Sequence, residues 1–186
     1  MNQQSNFLAY IFLFLTVTFW AGNFVVGKFA SLYEVPPFSL NFYRWFFAWL
    51  ILAPFTLPEI IKKKDYIINN YKLFIVLGVT SITIFNSIVY YSLNFTQVIS
   101  GVLMISTIPV MIMFFSSIFK IEKTNIFQII GVILSFLGVI IIITKANFEI
   151  LKNLNFNKGD LTMVIAMFSW ALYSTLLKRQ KYEISQ

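Results

Sequence analysis

The chain has 186 residues, is 59% hydrophobic and 11% charged, and carries a formal net charge of +7, a balance that leaves too little polar surface for a soluble domain of this size. It contains 22 Phe but no Cys and no His, which excludes disulfides, thiolate or imidazole metal sites and His-dependent acid/base chemistry within these residues. The positive charge does not point to nucleic acid, because the Lys residues lie in short gaps between apolar runs rather than in a stripe along one helix face.

A helix needs about 20 apolar residues to cross about 30 Å of hydrocarbon with its backbone groups satisfied. Six runs of about that length predict spans at 7–27, 38–57, 72–91, 97–119, 126–144 and 160–177. The first follows a tail without a basic residue and outlasts the apolar core of a cleaved signal, so it reads as a retained span. Pro36-Pro37, Pro58 with Lys62-Lys63-Lys64, Asn94, residues 120–125 and residues 145–159 separate the runs. The fold class is therefore all-α integral membrane, a polytopic helix bundle whose sequence neighbours pack antiparallel.

Residues three and four apart share a helix face. In the first span Thr16, Trp20, Asn23 and Gly27 do so, and in the second Asn41, Arg44 and Ala48. The third aligns Thr80, Thr83, Ser87, Tyr90 and Asn94, and the fourth Gln97, Ser100, Met104 and Thr107. Interhelical hydrogen bonds, worth about 0.6 kcal/mol each, account for any one such stripe; four together point to a shared, partly hydrated cavity. Arg44 is the costliest member, at about 2.5 to 3.5 kcal/mol near a span centre. Two readings of it stand open: a site for an anionic solute group, or a structural cation capping carbonyls. Lys28 likewise reads either as a terminal anchor or as a functional amine. Pro109 predicts a kink in the fourth span, and Gly131, Ser135 and Gly138 in the fifth form a small-residue packing stripe. The candidate cavity residues are Trp20, Asn23, Lys28, Arg44, Thr83, Ser87, Tyr90 and Ser100; no catalytic residue, metal site or cofactor is expected.

Orientation follows from basic residues on alternate sides. Nine lie on the side of the N-terminus (Lys62, Lys63, Lys64, Lys72, Lys120, Lys123, Lys178, Arg179, Lys181) and four on the other (Lys28, Lys145, Lys152, Lys158). This predicts a cytoplasmic N-terminus, although three of the four opposing lysines share the loop 145–159. Trp20-Ala21 with Lys28, and Trp170-Ala171 with Lys178, repeat one spacing in the first and sixth spans. The expected layout is thus a first five-helix repeat over 7–144 and, from residue 160, the opening helix of an inverted second repeat that the chain leaves unfinished. Inverted repeats with a midplane site mark secondary transporters.

Three stretches carry a family resemblance: Phe19-Trp20-Ala21-Gly22-Asn23-Phe24 with Lys28, then Phe42-Tyr43-Arg44-Trp45-Phe46-Phe47-Ala48, then Ile108-Pro109-Val110 leading to Glu122-Lys123, Gln128, Gly131, Gly138 and Val139. Together they resemble the EamA-type members of the drug/metabolite transporter superfamily. That resemblance implies ten spans in two inverted repeats, cytoplasmic termini, a multi-pass place in the cell membrane (a bacterial inner membrane), and export of amino acids or related small metabolites by alternating access. Its partners would be the lipid bilayer, a small-molecule solute and the second half of its own chain. One departure is that the Gly often preceding the family's Glu is replaced around Lys120-Ile121. A membrane-embedded enzyme and a non-catalytic assembly subunit are the alternative functions.

Overall fold

The computed structural model describes residues 3–121, 125–144, 149 and 157–179. Glu122, Lys123, Lys145, Lys152 and Lys181, which entered the reading of loops and orientation, lie outside the described residues. Every element named here is helical: α1 (Gln3–Leu32), α2 (Pro37–Lys62), a short α3 (Lys64–Asn69), α4 (Tyr71–Ser92), α5 (Val98–Ile105), α6 (Ile108–Ile118), α7 (Ile126–Thr144) and α8 (Lys158–Arg179). Four of them, α1, α2, α4 and α8, are long and apolar enough to cross a membrane.

Local chemistry sets the ends. At the end of α1, Glu34 N donates to Ser31 O and Val35 N to Ala30 O, with Glu34 at φ 56°, so the last turn closes in a Schellman motif. Pro36 and Pro37 then start α2, since a missing N–H costs nothing in a first turn. Pro58, expected to end that helix, lies inside it together with Pro54, and α2 continues to Lys62. Prolines are tolerated inside membrane helices because the freed carbonyls find other donors. The expected kink at Pro109 is a full break: α5 stops at Ile105, and Pro109 occupies the first turn of α6.

A second Schellman motif ends α6, where Lys120 N donates to Ser117 O and Ile121 N to Ser116 O. Lys120 takes the left-handed position at φ 53°. A side chain there costs about 1 to 2 kcal/mol that glycine avoids. Lys120→Gly should therefore stabilise the protein by about 0.5 to 1 kcal/mol after glycine's greater unfolded-state entropy is subtracted. Reversible unfolding in mixed micelles would measure the gain, and a loss would refute the cap assignment.

α8 is the central helix. Met163, Ala166, Met167 and Ala171 are fully buried, packed mainly against α6 and α4. In lipid, apolar burial drives helix association weakly, so hydrogen bonds and close fit carry more of the specificity. α8 forms an antiparallel series with α4 and the turn that follows it: Thr96 Oγ1 donates to Asp160 Oδ1 at 2.7 Å, Ser92 and Thr162 hydroxyls meet at 2.7 Å, and Ser169 Oγ donates to Thr80 O at 2.8 Å. Asp160 and Asn157 also bond reciprocally through side chain and backbone at 3.1 and 2.9 Å, a capping box that fixes where α8 begins. By contrast, Gly131 and Gly138 of α7 have nothing within 4 Å of where a Cβ would stand. The two glycines of the small-residue stripe expected to pack there thus have no close neighbour among the described residues.

Candidate functional site

α4 is not uniformly α-helical: Val79–Asn86 forms a π-helix between Tyr71–Gly78 and Ser87–Ser92. A π turn takes in one extra residue, and Asn86 Nδ2 accordingly reaches back five positions to Ser81 O at 2.9 Å. The added residue splits the polar stripe read from the sequence. Ser81, Asn86 and Tyr90 face one way, whereas Thr83 and Ser87 turn toward Asn41 of α2.

On the first of these faces three helices converge on one hydrogen-bonded chain. Arg44 Nη1 donates to Asn86 Oδ1 at 3.0 Å and to the Tyr90 hydroxyl. Tyr90 donates in turn to Asn23 Oδ1 at 2.6 Å. α1 approaches α4 closely enough for this because residue 27 is glycine: a Cβ there would stand 2.8 Å from Tyr90 Cδ1. Two acceptors fix the guanidinium, and its Nη2 and Nε groups keep no protein acceptor among the described residues. Arg44 sits seven positions beyond Pro37, about 10 Å along α2.

The chain borders a cavity of about 240 Å³ lined by Trp20, Asn23, Arg44, Trp45, Ser81, Asn86 and, from α8, Trp170 and Tyr173. Trp20 and Trp170 meet edge to face with centroids 5.7 Å apart, while Trp170 packs on Phe85 at 4.6 Å and Tyr173 at 5.1 Å. No carboxylate is among the lining residues. The site is thus a cation held by neutral acceptors beside an aromatic wall, an arrangement suited to an anionic group attached to a flat or apolar body.

Of the eight residues singled out from the sequence, Trp20, Asn23, Arg44 and Tyr90 come together here. Lys28 does not: its Nζ donates to Leu93 O at 2.6 Å and Thr96 O at 3.0 Å, capping carbonyls beyond the end of α4 as a cation does at a helix C-terminus. Thr83 and Ser87 border a second cavity against α2, and Ser100, half-buried on α5, lines neither. Sequence reasoning missed Ser81, Asn86, Trp45, Trp170 and Tyr173. One signal was available: Trp170 and Tyr173 follow Trp20 and Asn23 by the same 150 positions that separate Lys28 from Lys178.

The model of the EamA-like transporter family matches residues 7–144. The chain belongs to that family. It is 28% identical over 170 residues to the uncharacterized transporter YyaM of Bacillus subtilis (strain 168), covering 91% of this chain and 55% of the relative. Two uncharacterized transporters of Archaeoglobus fulgidus are also similar. One is 27% identical over 95% of this chain and 58% of its own length, the other 32% identical over 72% and 46%. The chain therefore spans about half the length of the curated relatives it matches, and no solved structure gives a significant match. This EamA member is a multi-pass membrane protein. Around Lys120-Ile121, where the resemblance expects a Gly, Lys120 holds a left-handed cap that a glycine would occupy without strain.

Proposed function

We propose that the protein is a secondary transporter that exports a small anionic or zwitterionic metabolite, with amino acids and related solutes as the leading class. The observation that carries this reading is the Arg44–Tyr90–Asn23 chain, which ties three helices to a cation that has no carboxylate beside it among the described residues and that borders an aromatic wall. A solute carboxylate would take the open Nη2 and Nε donors as a bidentate pair, and its side chain would lie against Trp20, Phe85, Trp170 and Tyr173. Alternating access follows if α1 and α8 are equivalent helices of inverted repeats that rock about this point. Two repeat-related pairs at the cavity, Trp20 with Trp170 and Asn23 with Tyr173, support that symmetry. The second repeat, in this reading, closes the pathway in the cell membrane.

Counterflow in proteoliposomes holding the complete gene product tests the proposal. Preloaded carboxylate solutes should exchange with labelled ones, and their amides should not. Failure of every solute under proton, sodium and counterflow gradients would reject it. The proposed orientation, N-terminus inside, has its own check: Lys63→Cys should resist an impermeant thiol reagent in intact cells and react after permeabilisation, since labelling from outside would reverse the topology.

A further inference from the structure

Two other helices grip α4 at its π turn. Three successive carbonyls there each accept a side-chain donor: Thr80 O takes Ser169 Oγ of α8 at 2.8 Å, Ser81 O takes Asn86 Nδ2 at 2.9 Å, and Ile82 O takes Asn41 Nδ2 of α2 at 3.0 Å. Ser169, Asn86 and Asn41 are all buried. In lipid, where water cannot serve a disturbed helical ladder, such donors come from neighbouring side chains. Ser169 is the informative one. A hydroxyl inside a helix commonly bonds back to the carbonyl four positions earlier, as Thr162 does to Lys158 O and Thr175 to Ala171 O in this same helix. Ser169 instead crosses to α4.

The register of the turn decides what Arg44 meets. π turns are rare and concentrate at functional sites, and one residue of an α-helix is a rotation of about 100° with a rise of about 1.5 Å. Were Val79–Asn86 to tighten into α-helix, the residues after it would turn by that amount relative to those before it. Asn86 and Tyr90 would then leave Arg44. Both hydrogen bonds of the guanidinium, to Asn86 Oδ1 and to the Tyr90 hydroxyl, therefore depend on the extra residue staying where it is.

We infer that Ser169 is a positioning residue for the central site: from α8 it holds the π turn of α4 in register and so keeps Asn86 and Tyr90 on Arg44. It does this without lining the cavity itself. Asn41 braces the same turn from α2. In the proposed repeat architecture α2 and α8 belong to different halves, so the turn is where the second half reaches the cation. The consequence for transport rests on the reading of Arg44 as the solute's anchor; the positioning itself does not.

The complete gene product carrying fluorotyrosine at residue 90 alone, in phosphatidylcholine nanodiscs, reads the register directly, because the fluorine resonance reports whether that ring keeps its place beside Arg44 and Asn23. Ser169→Ala should shift or split the resonance and, in proteoliposomes, raise the KM for a carboxylate solute roughly three- to tenfold with kcat unchanged. Deleting Thr83, an exposed residue of the turn, removes the extra residue and leaves a continuous α-helix with Asn86 and Tyr90 on the face they already hold. In that background Ser169→Ala should move neither the resonance nor KM, whereas a merely structural hydroxyl would be missed equally with and without Thr83. A resonance unmoved by Ser169→Ala in the otherwise unaltered chain overturns the inference, and so does an equal shift after the deletion. A resonance that moves in the first case and not in the second, with KM unaltered throughout, upholds the positioning and rejects Arg44 as the solute's anchor.

Discussion

Arg44→Lys in the complete transporter should raise the KM for a carboxylate solute by roughly 10- to 100-fold, the range expected when charge-assisted hydrogen bonds worth about 1.5 to 3 kcal/mol are lost. The substitution keeps the charge, so a large effect isolates geometry. An ammonium is a single point of three donors, whereas the guanidinium spends one nitrogen on Asn86 and Tyr90 and keeps two more for the solute. Tyr90→Phe should act more mildly, roughly three- to tenfold, because it removes one neutral support and leaves the cation in place. Initial rates against solute concentration in proteoliposomes separate the cases: a raised KM with kcat unchanged is the loss of a binding contact. If Arg44→Lys carried the carboxylate with unaltered KM while the unfolding midpoint fell, Arg44 would be a structural cation, the other reading its place in the sequence allowed.

How much of this was legible beforehand differs by residue. The apolar runs located the helices because lipid imposes a length and a composition that few sequences mimic. Trp20, Asn23, Arg44 and Tyr90 emerged because each stands out against its own span and local periodicity places it on a polar face. Thr83 and Ser87 were grouped with them by a 3.6-residue period that α4 does not keep. The π turn between Val79 and Asn86 is not written in any single residue type, and its extra residue exchanges Thr83 and Ser87 for Ser81 and Asn86. Lys28 illustrates a different limit. Its sequence position allowed an anchor or a functional amine, and only the approach of the 93–96 turn supplies the carbonyls it caps. Pro58 reads as a stop in the sequence because proline breaks helices in water, where exposed carbonyls need no helical partner. Within α2 the surrounding turns hold the helix through it.

The close fit of α8 leads to the largest expected loss of stability. Gly159 sits where α8 begins, and a Cβ at that position would stand 2.7 Å from the backbone oxygen of Ser92, 2.9 Å from Phe95 Cβ and 3.0 Å from Asn157 Oδ1. Among the described residues no glycine has a positive φ, so alanine is conformationally acceptable at residue 159 and the obstacle is space alone. The first contact is main chain and cannot rotate away. The third is the cap itself, so relief in that direction loosens the Asn157–Asp160 box and, through Asp160, the bond from Thr96. Gly159→Ala should therefore cost about 2 kcal/mol, within the range for overpacked contacts, and lower the unfolding midpoint by roughly 4 to 8 °C for a chain of this length. Gly131→Ala is the matched comparison. Nothing lies within 4 Å of its Cβ position, so the same methyl group should be neutral or slightly stabilising through helix propensity. Thermal unfolding of both variants in one detergent decides the matter: equal midpoints would mean that α8 does not bear on the 92–96 turn, and the hydrogen-bonded series along α4 would lose its anchor.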